Sequence, residues 1–338
     1  AVMSALYGFG LGIATKNANG ESLDTFYPSP IYDVDGDIAV LLKEVSGRLD
    51  ASQLLSLAAS LEALGEVHHA GIARQMTTTH QPVIATPLVD NSAPKSVEEA
   101  YLKLHLLSHR MVKPHETDLD GLFGLLPNVA WTDQGPVDLT EVAQRQLDAR
   151  LRGEVLEVSS VDKFPKMTQY VVPQGVRIAH TARVRLGAYL GAGTTVMHEG
   201  FINFNAGAEG PGMIEGRISA GVWVGAGSDL GGGCSTMGTL SGGGNIIISV
   251  GKECLIGANA GLGIPLGDRC TIEAGLFVTA GTKVSVLDDQ QKVAETVSAR
   301  TLAGRPDLLF RRHSTSGAVQ CLTNKSAVEL NEMLHAHN

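Results

Sequence analysis

Between Ile178 and Val284 an aliphatic residue returns at every sixth position. That period matches neither a helix, at about 3.6 residues per turn, nor an alternating strand of period two. The count runs Ile178, Val184, Leu190, Val196, Ile202. After an interruption it resumes at Ile218, Val224, Leu230, and again at Val250, Ile256, Leu262. A four-residue skip then leads to Leu266, Ile272, Val278 and Val284. Glycine directly follows at 191, 225, 231, 251, 257, 263 and 267. Small residues stand four positions after the aliphatic one: Ala182, Ala188, Thr194, Gly200, Ala206, Ser228, Cys234, Cys254, Ala260 and Cys270. Self-similarity at a fixed period marks a repeat architecture in which each unit buries its apolar side chain only by stacking on its neighbours. The spacing predicts a prism of coils, three short strands per triangular coil of 18 residues, with one aliphatic residue pointing inward at each corner. Forty glycines and only 5% aromatic residues follow from it: tight corners demand glycine, and a narrow core has no room for rings. Three of the four cysteines share one slot of the repeat, which reads as small apolar filler rather than as catalysis or metal binding.

The rest of the chain has a different texture. Residues 1–110 carry ordinary helical stretches and are expected to form an α/β domain. In one of them Asp50-Ala51-Ser52 opens a helix and Gly65 closes it. Residues 111–173 form a mixed segment whose "DLTEVAQRQLDARLRG" predicts an amphipathic helix closed by Gly153. The prism is expected over 174–287. The segment 288–338 follows, where "LLFRRHSTSGAVQCLTN" predicts one or two strands with a turn at Ser316-Gly317.

A formal charge of −9 argues against nucleic-acid or anionic-membrane partners. No apolar run approaches the about 18 residues of a spanning helix, so no membrane partner is expected. The N-terminus does not spell a secretory signal, and the cysteines show no close pairing; a cytoplasmic setting is expected.

Within the prism the candidates for chemistry are few. "GGGCSTMG" and "SGGGN" lack the Gly-Lys-Ser/Thr ending of a phosphate loop, and read as a glycine-lined wall and an interrupting loop. His180 and His198, 18 residues apart, stack one coil above the other but have no partner histidine on their own coil, so packing or polar roles are expected. Carboxylates are scarce: Glu199, Glu215 and Glu273. A carboxylate in a cleft can take a proton from an attacking amine, or attack a thioester itself. Glu215 falls where the six-residue register breaks, and function gathers where local rules fail. An exposed turn acid paired with Arg217 accounts for the same residues equally well.

The hexad resembles that of hexapeptide-repeat proteins. The resemblance implies a left-handed parallel β-helix, homotrimers and active sites in the clefts between prisms. The fold expected is therefore mainly β, with an N-terminal α/β region and a short C-terminal β tail. A closer likeness rests on "LLSHRMVKPHETDLDGLFGLLPNVAWT", "TTVMHEGFINFNAGAEGPGMIEGRISAGVWVG", "GGGCSTMGTLSGGGN", "GANAGLGIPLGDRCTIEAGLFVTAGTKV" and "LLFRRHSTSGAV". Over residues 100–338 these resemble tetrahydrodipicolinate N-succinyltransferases in their longer actinobacterial and pseudomonad form; the first hundred residues resemble them more loosely.

That resemblance implies transfer of succinyl from the co-substrate succinyl-CoA to a small dicarboxylic amino acid, in the succinylase route to diaminopimelate and lysine. It implies Glu215 as the catalytic residue, through an acyl anhydride or as a base in direct transfer. It implies donor contacts at Arg217, Gly232, Ser235, Ala258, Glu273, Ala274, Gly281 and Lys292, and along Arg311, Arg312, His313 and Ser314. Glycine and alanine let a pantetheine arm reach backbone groups, and lysine and arginine suit phosphates. The chain departs from the family pattern at the divalent-metal site. There the family pairs an aspartate with the residue matching Glu199, and this chain has Ala182 in the aspartate's place; a ring of Glu199 side chains is what remains for Mg²⁺. The region around Lys292 also matches only loosely. The competing expectations are an acyltransferase using acetyl-CoA and a non-catalytic or zinc-binding trimeric scaffold.

Overall fold

The computed structural model describes residues 5–238 and 246–323, which divide into two units. The loop expected at 241–245 lies outside the described residues.

The first unit holds residues 5–106, 116–165 and 169–171. Its sheet runs Ser22–Phe26, Ala5–Lys16, Val83–Leu88, Gly47–Arg48, with Ile31–Asp35 also pairing with Ala5–Lys16, all antiparallel. Helix Ala51–Ala63 starts as its sequence predicts: the Asp50 side chain accepts from the Gln53 N–H and the Gln53 side chain reaches back, a reciprocal capping box. Leu54, Leu57 and Leu61, spaced for one helix face, are buried in a core with Leu6 and Phe9 from the sheet. Gly65, at φ +84°, follows the end of this helix. The predicted second helix lies at Val142–Leu151, and Gly153 follows it at φ +75°. Two polar groups are carried deep inside. Lys103 is fully buried, its ammonium donating to Asn91 Oδ1 (3.2 Å), Asp118 O (2.7 Å) and Ser92 O. Asp24 accepts from the Thr15 N–H (3.1 Å) and the Tyr170 hydroxyl (2.5 Å), and burial lifts its carboxyl above the ordinary range.

The second unit holds residues 107–115, 166–168 and 172–323, and it is the prism. Three sheets form its faces. The first runs Ala188–Leu190, Ala206–Ala208, Trp223–Val224, Ser249–Val250. The second runs Arg177–Ile178, Thr194–Val196, Gly212–Ile214, Asp229–Leu230, Leu255–Ile256, Thr271–Ile272. The third runs Phe201–Ile202, Arg217–Ile218, Ser235–Thr236, Gly261–Gly263, Phe277–Thr279. Every ladder between coils is parallel.

Fourteen of the fifteen periodic positions are buried, and Ile178, in the first coil, is half-buried. Each buried Val, Leu or Ile contributes about 1.5–3 kcal/mol relative to exposure. The interruption in the aliphatic count is not an interruption of the prism. Ala208 and Ile214 continue the six-residue step from Ile202, both buried, and only then does the chain shorten to reach Ile218 four residues on. Thr236 occupies the next inward position after Leu230; its buried hydroxyl donates to Arg217 O (2.8 Å) and accepts from the Ser219 N–H (3.2 Å). The four cysteines are all buried and free. Burial pushes the Cys234 and Cys321 thiols up to about 12, so neither supplies a thiolate at neutral pH.

The tail adds to the prism. Leu308–Arg312 pairs in parallel with Thr271–Ile272 and antiparallel with Val319–Thr323, and Gly317 takes φ +73° in the predicted turn. The 107–115 segment, which carries no period, packs here as well. Arg110 donates to Leu190 O (2.5 Å) and Gln174 O (2.7 Å), and the His115 ring donates to Gly221 O (2.7 Å).

Candidate active site

Strands of the second face end on an inward residue, and the next residue donates its N–H to the carbonyl of the inward residue one coil further on. The pairs are Met197 to Ile214 (2.9 Å), Glu215 to Leu230 (2.9 Å), Gly231 to Ile256 (2.7 Å), Gly257 to Ile272 (2.8 Å) and Glu273 to Phe310 (2.9 Å). This repeated bond stacks the corners into one column. Glu199, Glu215, Gly232, Ala258, Glu273 with Ala274, and Arg311 with Arg312 follow one another along a single edge of the prism. Five strand steps of about 4.8 Å make that column about 24 Å long. Residues distant in sequence thus share one line, with a carboxylate toward one end and two arginines at the other.

Glycine keeps the column narrow. A Cβ on Gly216 would fall 2.3 Å from Cys234 Sγ, and Gly233, at φ +72°, has room only for hydrogen beside Asn259 Oδ1. Ala258, Glu273 and Ala274 are exposed, so backbone and short side chains line the outer surface.

Glu215 is half-buried, and its carboxylate makes no hydrogen bond or ion pair among the described residues. A Cβ on Gly232 would stand 3.7 Å from Glu215 Oε2, which sets the carboxylate beside the open glycine corner of the next coil. No salt bridge joins Glu215 to the exposed Arg217, so the pairing weighed from sequence does not occupy either group. Arg217 and Ser235 are neighbours on the third face, and both line a groove of about 560 Å³ with Arg183, Glu199, Phe201 and Asn203.

Comparison with known proteins gives the family of the chain. Residues 126–166 match the family described as tetrahydrodipicolinate N-succinyltransferase middle, and residues 247–280 match the hexapeptide repeat of succinyl-transferase. Over 99% of both chains the sequence is 60% identical to the 2,3,4,5-tetrahydropyridine-2,6-dicarboxylate N-succinyltransferase of Pseudomonas aeruginosa. It is 55% identical to the protein of that name from Vibrio cholerae, over 99% of this chain and all of the relative. The chain belongs to the tetrahydrodipicolinate N-succinyltransferase family. A crystal structure from Campylobacter jejuni, described as a 2,3,4,5-tetrahydropyridine-2-carboxylate N-succinyltransferase, superposes with a TM-score of 0.85 at 33% identity, covering 96% of this chain and 93% of that one.

The remaining residues expected from the family fall partly on the column. Glu273 Oε2 accepts from the Arg312 N–H (2.8 Å). Arg311 donates to Gln320 Oε1 (3.1 Å) and Gln291 Oε1 (3.2 Å), which brings the turn carrying the exposed Lys292 beside the column's cationic end. His313 and Ser314 occupy the exposed turn after Arg312, where the His313 ring accepts from the Ser316 N–H (3.2 Å). Gly281 lies off the column, in an exposed turn after the third face.

A resident Mg²⁺ does not fit the residues of one chain. Ala182 offers a methyl group, Glu199 a lone exposed carboxylate, and among the described residues no group of three or more His, Cys, Asp or Glu is placed to hold a metal ion. His180 and His198 do stack, through the Ile178–Val196 pair; the His180 ring accepts from the Ala182 N–H (3.3 Å). Among the described residues no helix is long and apolar enough to cross a membrane. Sequence reasoning passed over Arg183 and Phe201. Each directly precedes an inward residue (Val184, Ile202), the slot that Arg217 fills in the coil after Phe201.

Proposed function

We propose that this chain transfers the succinyl group of succinyl-CoA to the amino group of L-2-amino-6-oxopimelate, the open-chain form of tetrahydrodipicolinate, and releases CoA. This is the succinylase step toward diaminopimelate and lysine. The observation that carries the reading is the full-length identity of 60% to succinyltransferases of that name, in a chain whose corner column runs from Glu215 to Arg311 and Arg312.

The chemistry suits that column. The phosphates of the donor find cations at Arg311, Arg312 and Lys292. The pantetheine arm lies along Ala274, Ala258 and Gly232, where little side chain separates it from backbone N–H and C=O groups. The thioester then reaches Glu215 and Arg217, with Ser235 beside them. The acceptor nitrogen attacks the thioester carbonyl carbon, the C–S bond breaks, and CoA leaves as the thiolate, which takes up a proton. The Glu215 carboxylate, without a partner among the described residues, accepts the proton the amine loses. In the covalent variant it attacks the thioester first and holds succinyl as a mixed anhydride until the amine displaces it. Both routes use the same oxygen atoms.

Left-handed winding, homotrimeric assembly and a cytoplasmic setting are parts of the same reading. The test is release of free CoA thiol with L-2-aminopimelate as a stable acceptor. Acceptor-dependent release from succinyl-CoA supports the assignment. Release from acetyl-CoA in preference moves it to acetyl transfer, and no release from either donor removes it.

A further inference from the structure

The groove on the third face continues past Arg217 and Ser235, where the donor's thioester is placed, to Phe201 and Arg183, which no donor contact uses. On the third face Val184, Ile202, Ile218 and Thr236 point inward, each fully buried, and they pair in that order from coil to coil. The residue before each therefore lies on the outer surface, giving the row Arg183, Phe201, Arg217, Ser235. All four line the groove. Arg183 and Arg217 are two strand steps apart, about 10 Å, with the Phe201 ring between them.

Arg183 is held rather than loose. Its Nε donates to Gly200 O (3.0 Å) and one Nη to Glu199 O (3.0 Å), which fixes the guanidinium plane and leaves the second Nη without a partner among the described residues. The groove's charged side chains are Arg183, Arg217 and Glu199, so cations outnumber carboxylates. Two cations flanking an apolar ring suit an anion at each end of a short hydrocarbon chain. A seven-carbon chain, with bonds of about 1.5 Å, spans the row.

We infer that Arg183 is a specificity residue for the acceptor. It binds the carboxylate remote from the reacting amine, while the methylene chain crosses Phe201 and the amine comes to Glu215. This rests on the succinyltransferase reading and adds the acceptor's seat to it.

The test compares two acceptors with succinyl-CoA in the wild type, Arg183→Met and Arg183→Lys. One is L-2-aminopimelate; the other is L-2-aminoheptanoate, the same seven-carbon chain ending in a methyl group. The wild type should favour the dicarboxylate by about 100-fold or more in kcat/KM, since a site built for a charged group rejects the analogue lacking it. Arg183→Met should bring that ratio below about tenfold, chiefly through KM for L-2-aminopimelate, with KM for succinyl-CoA unchanged. Arg183→Lys, which keeps the charge, should fall between. A purely structural Arg183 would slow both acceptors together and preserve the ratio, and that result overturns the inference. If Arg183→Met does not fold, an undiminished ratio in Arg183→Lys overturns it equally, because lysine lacks the second and third nitrogens that hold the free Nη in place. A wild type inactive on L-2-aminopimelate points instead at the function itself.

Discussion

The backbone N–H of Arg312 donates to the Glu273 carboxylate at 2.8 Å, tying the last strand of the prism to the corner of the coil before it. The bond couples the open corner with its neighbour Ala274 to the arginines at the end of the column. Removing the carboxylate should let the Arg311–Arg312 strand end drift.

Glu273→Ala should therefore raise KM for succinyl-CoA by about tenfold, the effect of losing one hydrogen bond to a charged group, and leave kcat within about twofold. Glu273→Gln, which keeps an acceptor oxygen, should raise it much less. Steady-state kinetics at saturating acceptor separate the two constants; equal effects of both variants would contradict the role given to this bond.

The inward register makes a sharper demand. Ile256 is fully buried, with Leu230 and Ile272 above and below it. Ile256→Ala should cost about 2–5 kcal/mol in urea unfolding, the range for an aliphatic side chain cut back in a packed core. Ile256→Asp should yield no folded protein, because an unpaired charge inside the prism costs more than a domain's whole stability. A soluble, folded Ile256→Asp protein would show that this residue does not point inward.

Asp24 gives stability a pH dependence of known sign. Burial raises its native pKa above the ordinary carboxylate value, so the native state holds more protons than the unfolded chain between those two values. The favourable contribution is complete below the ordinary value and is lost as pH rises through the native pKa. Relative to Asp24→Asn, the wild type should lose stability across that window and run parallel above it. Urea midpoints at a series of pH values from 4 to about 8 measure the difference; a wild type that gains on the variant would reverse the sign and refute the account of Asp24.

How far the sequence carries can be judged from individual residues. Val196, Ile256 and Val278 were legible because every coil repeats the same demand on its inward slot, so one count finds them all. Ala208 and Thr236 meet that demand too, but alanine is short and threonine is polar, and neither registers in a count of large aliphatic residues. Glu215 stood out because the register shortens beside it. Gly232, Ala258 and Ala274 carry no chemistry of their own, and only the family resemblance marked them before the ladder bonds aligned them. Arg183 had no local signal, since its partners in the groove lie one and two coils away. The packing of Arg110 and His115 on the prism was equally silent, because a segment without a period announces no face.

The most direct measurement is turnover by Glu215→Gln, alongside its affinity for succinyl-CoA. The side chain keeps its shape and loses only the ability to take a proton or attack a thioester. Turnover with L-2-aminopimelate should fall by about 1000-fold, while donor affinity stays within about threefold, since the column beyond Gly232 is untouched. Near-normal turnover in a folded Glu215→Gln protein would remove this carboxylate from the reaction, and with it the assignment of the prism edge as the reaction centre.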